Sequence, residues 1–314
     1  MTADPLSDIL QLVRPRAYGF RGLDVGGDWS MHLPAQDVMR CYAVQAGSCG
    51  LWLDGAESSI RLAAGSFVLL PHGNALVLGS RRDAPEIDLD RFFAMDDGDT
   101  AMIDGGGACR GLCGYFELLG AATEQLRRSL PSLVRLGAGA DAAGLLWLVE
   151  RLMPEMRFPR PGGRLIAEHL SQTLLAEALR LHLATAGRPG GSWLAVLAEP
   201  RLAAAVEAMH AEPGRRWTLD TLAKLAGMSR SGFAQHFAKV NGEPPVSYLT
   251  RWRMLLAADR LTRGEPITTI ARDLGYGSES AFGAAFRRTT GTSPGRHRPC
   301  YASPAPGSGA HTST

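Results

Sequence analysis

Residues 275–298 read GYGSESAFGAAFRRTTGTSPGRHR, and a closely similar stretch, GMSRSGFAQHFAKVNGEPPVSYL, occupies residues 227–249. Six identities recur between them at a fixed offset of 49 positions. In the earlier copy they are Ser229, Ser231, Phe233, Phe237, Gly242 and Pro245, and in the later copy Ser278, Ser280, Phe282, Phe286, Gly291 and Pro294. Repetition at a fixed period indicates that one structural unit is present twice.

Each copy has the pattern of two short helices around a tight turn. In the first, Thr218 can cap a helix over LDTLAKLA, the residues GMS interrupt it, and Ser229 can cap a second helix whose two phenylalanines share one face. In the second, Pro266 lies at the first turn of a helix over ITTIARDL, and Ser278 is the cap of the next helix. The pattern predicts two helix-turn-helix units.

Residues 244–264, PPVSYLTRWRMLLAADRLTRG, predict a longer helix between the two units. A helix of about 16–18 residues spans roughly 25 Å. With the packed units at its ends, it can hold two recognition helices near ~34 Å apart, which is one turn of DNA. One polypeptide could then enter two successive major grooves.

The charge of the chain is unevenly distributed. Residues 193–300 contain 15 Arg or Lys against 9 Asp or Glu, a net charge of +6, whereas residues 1–192 contain 18 against 22, a net charge of −4. A basic C-terminal half favours a polyanionic partner such as nucleic acid. A solvated charged surface is the alternative.

The motifs LAGMSRSGFAQHF, PPVSYLTRWRMLLAADRL and IARDLGYGSESAFGAAFRRTTGTSPGRHR, with their spacing, resemble the DNA-binding domain of the AraC/XylS family of transcription regulators over residues 200–298. This resemblance implies a double helix-turn-helix module and an N-terminal sensing or dimerising domain. It implies a sequence-specific regulator that is controlled by a small effector or an oxidant.

Side chains that face away from the phenylalanine pairs are the candidate DNA contacts. Arg and Gln can bind guanine and adenine bidentately, and arginines late in a helix suit phosphates. The predicted set is Arg230, Ser231, Gln235, His236 and Lys239 in the first recognition helix, Glu279, Ser280, Arg287 and Arg288 in the second, and Arg251 and Arg253 in the linking helix, where structural pairing is the alternative. We expect the four phenylalanines and Trp252 to lie in the core.

The N-terminal half is predicted to be rich in β-strands over residues 20–119. Candidate strands lie in VMRCYAVQAGSCGLWL, FVLLP, ALVLG and CRGLCGYFELLG, with turns at Asp54-Gly55 and Gly73-Asn74. Many short strands favour a barrel or a sandwich. Residues 5–120 resemble the cupin-like N-terminal domain of one AraC-type subgroup, in DILQLVRPR, LAAGSFVLLPHGNALVLGS and CRGLCGYFEL. The fold class is therefore α+β, with a β-barrel followed by helices.

Helical patterns follow over residues 123–130, 141–157 and 164–186. The last contains an apolar stripe, formed by Ile166, Leu170, Leu174, Ala178 and Leu181, which favours a contact between subunits, although packing on its own barrel is the alternative. We therefore predict a sensor domain (1–120), a helical dimerisation segment (121–186), a linker (187–199), a DNA-binding domain (200–298) and a disordered tail (299–314).

Two enzyme classes are alternatives to a regulator. A metal-dependent cupin would need a His-x-His pair with further ligands, but the first 120 residues contain only His32 and His72, and Leu76 stands where related regulators carry another histidine. A DNA-alkyl-transfer protein would need a clustered four-cysteine zinc site, whereas the five cysteines are dispersed. We therefore expect no catalytic activity, no metal and no cofactor.

Cys109 and Cys113 are the candidate redox-sensing residues. On a strand they would face the same side about 13 Å apart, too far for a disulfide unless the chain bends. A thiolate near Arg110 could react with oxidants, and some regulators of the subgroup sense oxidants through cysteine. Inert buried thiols and a lining of an effector pocket are the alternatives. Leu23 stands where oxidant-sensing members would have a cysteine.

The sequence has no apolar run of ~18 residues and no signal-peptide pattern at its N-terminus, so we expect a cytoplasmic protein without a membrane span. The expected partners are double-stranded promoter DNA, RNA polymerase as for an activator, an unidentified small effector and a second copy of the chain.

Overall fold

The computed structural model describes residues 4–55, 58–94, 100–136, 140–158, 160–185 and 193–297. The chain divides into two compact units, residues 6–199 and residues 200–314 together with 1–5. The predicted tail (299–314) lies outside the described residues, and the predicted linker is described only from Trp193 onward.

The first unit contains nine strands and five helices among its described residues. The strands are β1 (Pro15–Val25), β2 (Ser30–Leu33), β3 (Met39–Leu53), β4 (Ile60–Ala63), β5 (Phe67–Leu70), β6 (Leu76–Gly79), β7 (Thr100–Ile103), β8 (Cys109–Leu118) and β9 (Val134–Leu136). The helices are α1 (Pro5–Gln11), α2 (Leu89–Ala94), α3 (Thr123–Arg128), α4 (Ala140–Arg157) and α5 (Gly163–Thr185).

The strands form one curled, half-barrel sheet with the order β2-β6-β3-β8-β1-β7. The long strand β3 is its centre, because it pairs with β8 and β5 in its first part and with β4 and β6 in its last part. A register shift between Val44 and Ala46 marks a bulge, which lets the strand bend between these two sets of neighbours. The predicted cupin-like N-terminal fold is confirmed.

The apolar core of the first unit is formed by side chains from most of the strands. Every residue of β5, Phe67–Leu70, is buried, which explains its uninterrupted apolar sequence. Three cysteines of the sheet, Cys49, Cys109 and Cys113, belong to the same core cluster as Trp29, Met31, Tyr42, Leu51 and Leu62.

Helices α4 and α5 pack against each other and against β1. The buried side of α5 includes Leu174 and Ala178 of the predicted stripe. Ile166 of that stripe is 38% exposed, so the stripe is divided between the core and the surface. Packing on the sheet of its own unit is therefore one role of α5.

The second unit is entirely helical in its described part. Its helices are α6 (Ala203–Ala211), α7 (Leu219–Leu225), α8 (Arg230–Asn241), α9 (Pro245–Thr262), α10 (Ile267–Asp273), α11 (Glu279–Thr290) and α12 (Pro294–His297). Helix α9 packs against α8 of the first helix-turn-helix pair and against α10 and α11 of the second. This confirms the predicted module of two helix-turn-helix units around a long helix. Helix α6 was not among the predicted helices.

The recurring residues have matching roles in both copies. The hydroxyl of Ser229 accepts a hydrogen bond from the amide of Gly232 at 3.2 Å, and the hydroxyl of Ser278 accepts one from the amide of Ala281 at 3.1 Å. Helices α8 and α11 both end at glycines in the left-handed conformation, Gly242 with φ 81° and Gly291 with φ 78°. Only glycine adopts this conformation without strain, so the repeat encodes the start and the end of each recognition helix.

Across the described ranges of the chain, no helix combines the length and the apolar content that crossing a membrane requires.

Candidate nucleic-acid interface

The first recognition helix, α8, separates its side chains into two faces. Phe233 and Phe237 are fully buried, with ring centroids 5.7 Å apart. Ser231, Gln235 and Lys239 are exposed on the other side, four residues apart and therefore one helical turn from each other. This exposed row offers a hydroxyl, an amide and a cation to a bound duplex.

Arg230 lies at the N-terminal end of α8 and is also exposed. Its guanidinium approaches the carboxylate of Asp220 at 3.9 Å, and both side chains are more than half exposed. Exposed ion pairs at such distances contribute little to stability, so this pair does not prevent Arg230 from turning toward a base.

His236 differs from the predicted outward orientation. It is half-buried, and its Nε2 atom is shielded from solvent. The position precedes the buried Phe237, so the ring lies at the edge of the core instead of in the exposed row.

The second recognition helix, α11, exposes a different surface. Phe282, Ala285 and Phe286 are buried, and the outward residues are Glu279, Ser280, Ala284, Arg287 and Arg288. The middle of this face is small, since Gly283 is half-buried and a methyl group added to it would meet nothing within 4 Å. The two arginines lie in the last turn, as expected for contacts to phosphate.

The two arginines of α9 are engaged within the protein. Arg251 forms an ion pair with Glu243, and both side chains are only partly exposed. Arg253 donates from Nε to the carbonyl oxygen of Pro213 at 2.6 Å and from Nη2 to that of Arg215 at 2.9 Å. The structural pairing that was the alternative to a phosphate contact is present at both positions.

The aromatic residues form the core of the unit. Trp252 stacks on His210 with ring centroids 4.1 Å apart, and the ring of Tyr248 meets that of Phe237 edge-on at 5.5 Å. The prediction that the four phenylalanines and Trp252 are core residues is confirmed, because none is more than 1% exposed.

The cysteines of the first unit fall into two groups. Strand β8 keeps a regular register with β1 from Cys109 to Cys113, so no bend brings these two thiols together. Instead, the thiols of Cys109 and Cys49 share a hydrogen bond, while Cys41 interacts electrostatically with Cys113. The predicted residue Cys109 therefore has a thiol partner that sequence reasoning missed.

The reactivity of these thiols should differ. Burial raises the pKa of Cys113 to about 12, despite the nearby positive charge of Arg21. The hydrogen bond from Cys49 lowers the pKa of Cys109 below its usual value, although burial and the charge of Asp24 oppose this effect. Because a thiolate is the reactive species, these directions of the pKa favour Cys109 over Cys113 as a nucleophile.

The two N-terminal histidines do not form a cluster. Nε2 of His72 lies 3.1 Å from the carbonyl oxygen of Leu130, as expected for a loop histidine that is satisfied by the backbone. His32 lies on β2, where it pairs with Val77. No group of three or more His, Cys, Asp or Glu residues suited to a metal ion occurs where the structure describes the chain.

Comparison with known proteins gives one family match for each half of the chain. A family model for cupin domains matches residues 4–184, and one for helix-turn-helix domains matches residues 222–299. The chain is 36% identical over 297 residues to a putative AraC-like transcription regulator of Streptomyces antibioticus, covering 94% of this chain and 98% of that protein. It is 31% identical over 301 residues to the RCS-specific transcriptional activator RclR of Escherichia coli, covering 94% and 97%.

Among solved structures, the DNA-binding domain of AdpA, a global transcriptional factor in complex with a target DNA, matches 33% of this chain and 94% of that one, with 30% identity and a TM-score of 0.30.

Proposed function

Because this chain belongs to the AraC/XylS family of transcription regulators, with a cupin N-terminal domain and a helix-turn-helix C-terminal domain, we propose how it divides the work of DNA recognition and what controls it. Like its relatives, the protein is a DNA-binding regulator of transcription and not an enzyme. The domain boundaries and the individual contact residues below are part of the proposal.

The proposed base-reading element is α8, and α11 chiefly holds the DNA backbone. One observation supports this assignment: α8 exposes Arg230, Gln235 and Lys239, whereas the centre of α11 exposes only small side chains with Arg287 and Arg288 at its end. Arg and Gln are side chains that discriminate bases, while methyl groups offer only apolar contact.

The proposal is tested by footprinting the full-length protein on the DNA upstream of its own gene and of neighbouring genes. We expect one or more protected sites, each with two parts one turn of the duplex apart, and affinity that falls steeply with salt as arginines displace counterions. Absence of any protected site would contradict the proposal.

We propose that the protein acts as a dimer through helices α4 and α5 of its N-terminal domain. Helix α4 exposes Trp147, which is 60% accessible, and α5 exposes Leu165, which is 58% accessible. Large apolar side chains at the surface are typical of protein interfaces, where Trp is often a main contributor to affinity.

For the dimer, we expect Trp147→Glu together with Leu165→Glu to raise the dissociation constant at least about tenfold, because two charges would be placed in an apolar interface. Analytical ultracentrifugation of the full chain over a range of concentrations measures this. Gln172→Glu, at an exposed polar position of α5, adds a charge without removing an apolar contact and should leave the constant unchanged. Equal behaviour of both variants would contradict the interface.

The proposed signal is a small effector or an oxidant that acts on the N-terminal domain. The relative RclR is named an RCS-specific transcriptional activator, which supports control by a specific chemical signal and, because it is an activator, RNA polymerase as a partner. We place the protein in the cytoplasm, because its named relatives are bacterial and bacterial DNA lies there.

For an oxidant, we propose Cys109 as the reactive thiol and Cys49 as its partner. The Cys109 thiolate would attack a peroxide and release water, and Cys49 would then displace a second water to form the disulfide. Cys113 would be protected by its raised pKa.

Mass spectrometry of peroxide-treated protein should find a Cys49–Cys109 cross-link that a reductant reverses. Cys113→Ser should leave this cross-link in place, whereas Cys49→Ser should leave a sulfenic acid on Cys109. Alkylation in the reduced protein should be faster at Cys109 than at Cys113 at pH 7–8, because Cys113 is almost wholly protonated well below its pKa of about 12. A cross-link between Cys109 and Cys113, or equal alkylation rates, would contradict the assignment.

A further inference from the structure

Two backbone segments far apart in sequence touch directly within the helical unit. One contains Gly214, shortly before the first helix-turn-helix pair, and the other contains Asp273 and Gly275, in the turn of the second pair. A Cβ added to Gly214 would lie 2.0 Å from the carbonyl oxygen of Asp273, and one added to Gly275 would lie 2.1 Å from that of Gly214. The approach is closer than any side chain permits, so glycine is required on both sides.

Arg253 binds to both segments from the middle of α9. Its guanidinium donates to the carbonyl oxygens of Pro213 and Arg215, at 2.6 and 2.9 Å, on either side of Gly214. The same guanidinium lies 5.8 Å from the centre of the Tyr276 ring, next to Gly275. A planar fork with several donors suits this geometry, because two carbonyl groups are bound by one side chain.

The contacts of Arg253 extend to both helix-turn-helix units. On one side, the carbonyl oxygen of Arg215 also accepts from the amide of Trp217 at 3.0 Å, directly before the Thr218 cap of α7. On the other side, the Tyr276 ring meets Phe282 edge-on at 5.6 Å, inside the recognition helix α11. A continuous series of contacts therefore joins the start of the first helix-turn-helix unit to the recognition helix of the second helix-turn-helix unit.

On one side, this junction borders a cavity instead of closely packed side chains. A cavity of about 340 Å³ lies beside it and is lined by residues that include Trp217, Leu222, Val246, Leu249, Arg253 and Gly275. Because this space separates the first helix of one helix-turn-helix unit from the turn of the other, the glycine contact and Arg253 join the two directly here, in addition to their shared packing on α9.

We infer that Arg253 is a positioning residue that fixes the separation of the two recognition helices, and that the protein thereby discriminates operators by the spacing of their two parts. The inference rests on the proposed entry of α8 and α11 into successive major grooves. One added base pair shifts the second part by about 3.4 Å and turns it by about 34°, a mismatch that a rigid pair of helices cannot follow.

The test uses the full-length protein and an operator selected by the wild type from random duplexes. Affinities are measured for three duplexes: the operator, the operator with one base pair inserted between its two parts, and the operator with the part that faces α11 scrambled. The variants are Arg253→Lys, which keeps the charge but loses the fork, and Gly214→Ala, which pushes the segments apart by sterics.

For the wild type, we expect the inserted base pair to weaken binding more than tenfold. Both variants should bind the operator about tenfold more weakly, as for the loss of hydrogen bonds to a charged group. They should bind the scrambled duplex with the same affinity as the wild type. Insertion of the base pair should weaken their binding to the operator by less than about threefold. Gly277→Ala is the control, since an added Cβ at this exposed glycine of the same turn meets nothing within 4 Å.

Wild-type behaviour of Arg253→Lys on all three duplexes would overturn the inference, because a charge alone would then be sufficient, as for a phosphate contact. Equal weakening of all three duplexes by both variants would also overturn it. If the wild type selected no operator, the proposed base reading would fail, which is a different result from either of these.

Discussion

The double variant Arg230→Ala, Gln235→Ala is expected to lose sequence preference while it retains non-specific affinity for DNA. Both side chains are exposed on the side of α8 that is proposed to read bases, opposite the buried Phe233 and Phe237. A bidentate contact from Arg or Gln to a base discriminates by about 1–3 kcal/mol. The loss of two such contacts, about 2–6 kcal/mol in all, therefore reduces the ratio of specific to non-specific affinity by roughly 30-fold to about 20,000-fold.

The measurement compares the affinity of each protein for the selected operator and for a random duplex at the same salt concentration. Non-specific affinity should fall only slightly, because most of the basic residues of the domain remain. The matched control is Ser280→Ala, Arg288→Ala on α11, which removes one polar and one basic residue at exposed positions of the other recognition helix.

This control should weaken binding to both duplexes by a similar factor and should leave their ratio within about threefold of the wild type, as expected for lost phosphate contacts. If the control changed the ratio and the α8 variant did not, the roles assigned to the two recognition helices would be reversed.

Phe237→Ala is expected to destabilise the helical unit by about 3–5 kcal/mol, as large-to-small substitutions of buried aromatic residues do. The side chain is fully buried between Phe233 and Tyr248, whose ring centroids lie 5.7 and 5.5 Å away. A loss of this size is a large part of the about 5–15 kcal/mol that stabilises a typical domain.

Hydrogen exchange of peptides from α8 and α9, followed by mass spectrometry in increasing urea, measures this loss in the full-length protein. Gln235→Ala is a close control, because it lies two positions away on the exposed side of the same helix and should change stability by less than about 0.5 kcal/mol. Similar exchange in the two variants would show that Phe237 is not a core residue.

The repeat was interpretable from sequence because its determinants are local. A serine cap, two phenylalanines one turn apart and a glycine that ends the helix act within twelve or so residues, and their order predicts a helix wherever it occurs. Helix α6 lacks such signals: its cap position is Leu202 and no side chain caps it. It was therefore missed.

The partners of individual side chains required the folded chain. The sequence around Arg253 is compatible with a contact to phosphate or to protein. Only the structure places its side chain against carbonyl groups about 40 residues earlier in the chain. Likewise, nothing near Cys109 in the sequence indicates that Cys49 is its partner. The two thiols meet only because β3 pairs with β8, with a bulge after Val44.

By itself, the sequence determined the family, the two helix-turn-helix units, their capped ends and the faces of their recognition helices, because each of these follows from residues within a few turns of one another. Tertiary structure alone decided that Arg253 binds the carbonyl groups of Pro213 and Arg215, that His236 is set back from the exposed row, and that Cys109 meets Cys49. These contacts join residues whose separation in the chain is bridged only when helices pack and strands pair, and no local periodicity encodes that.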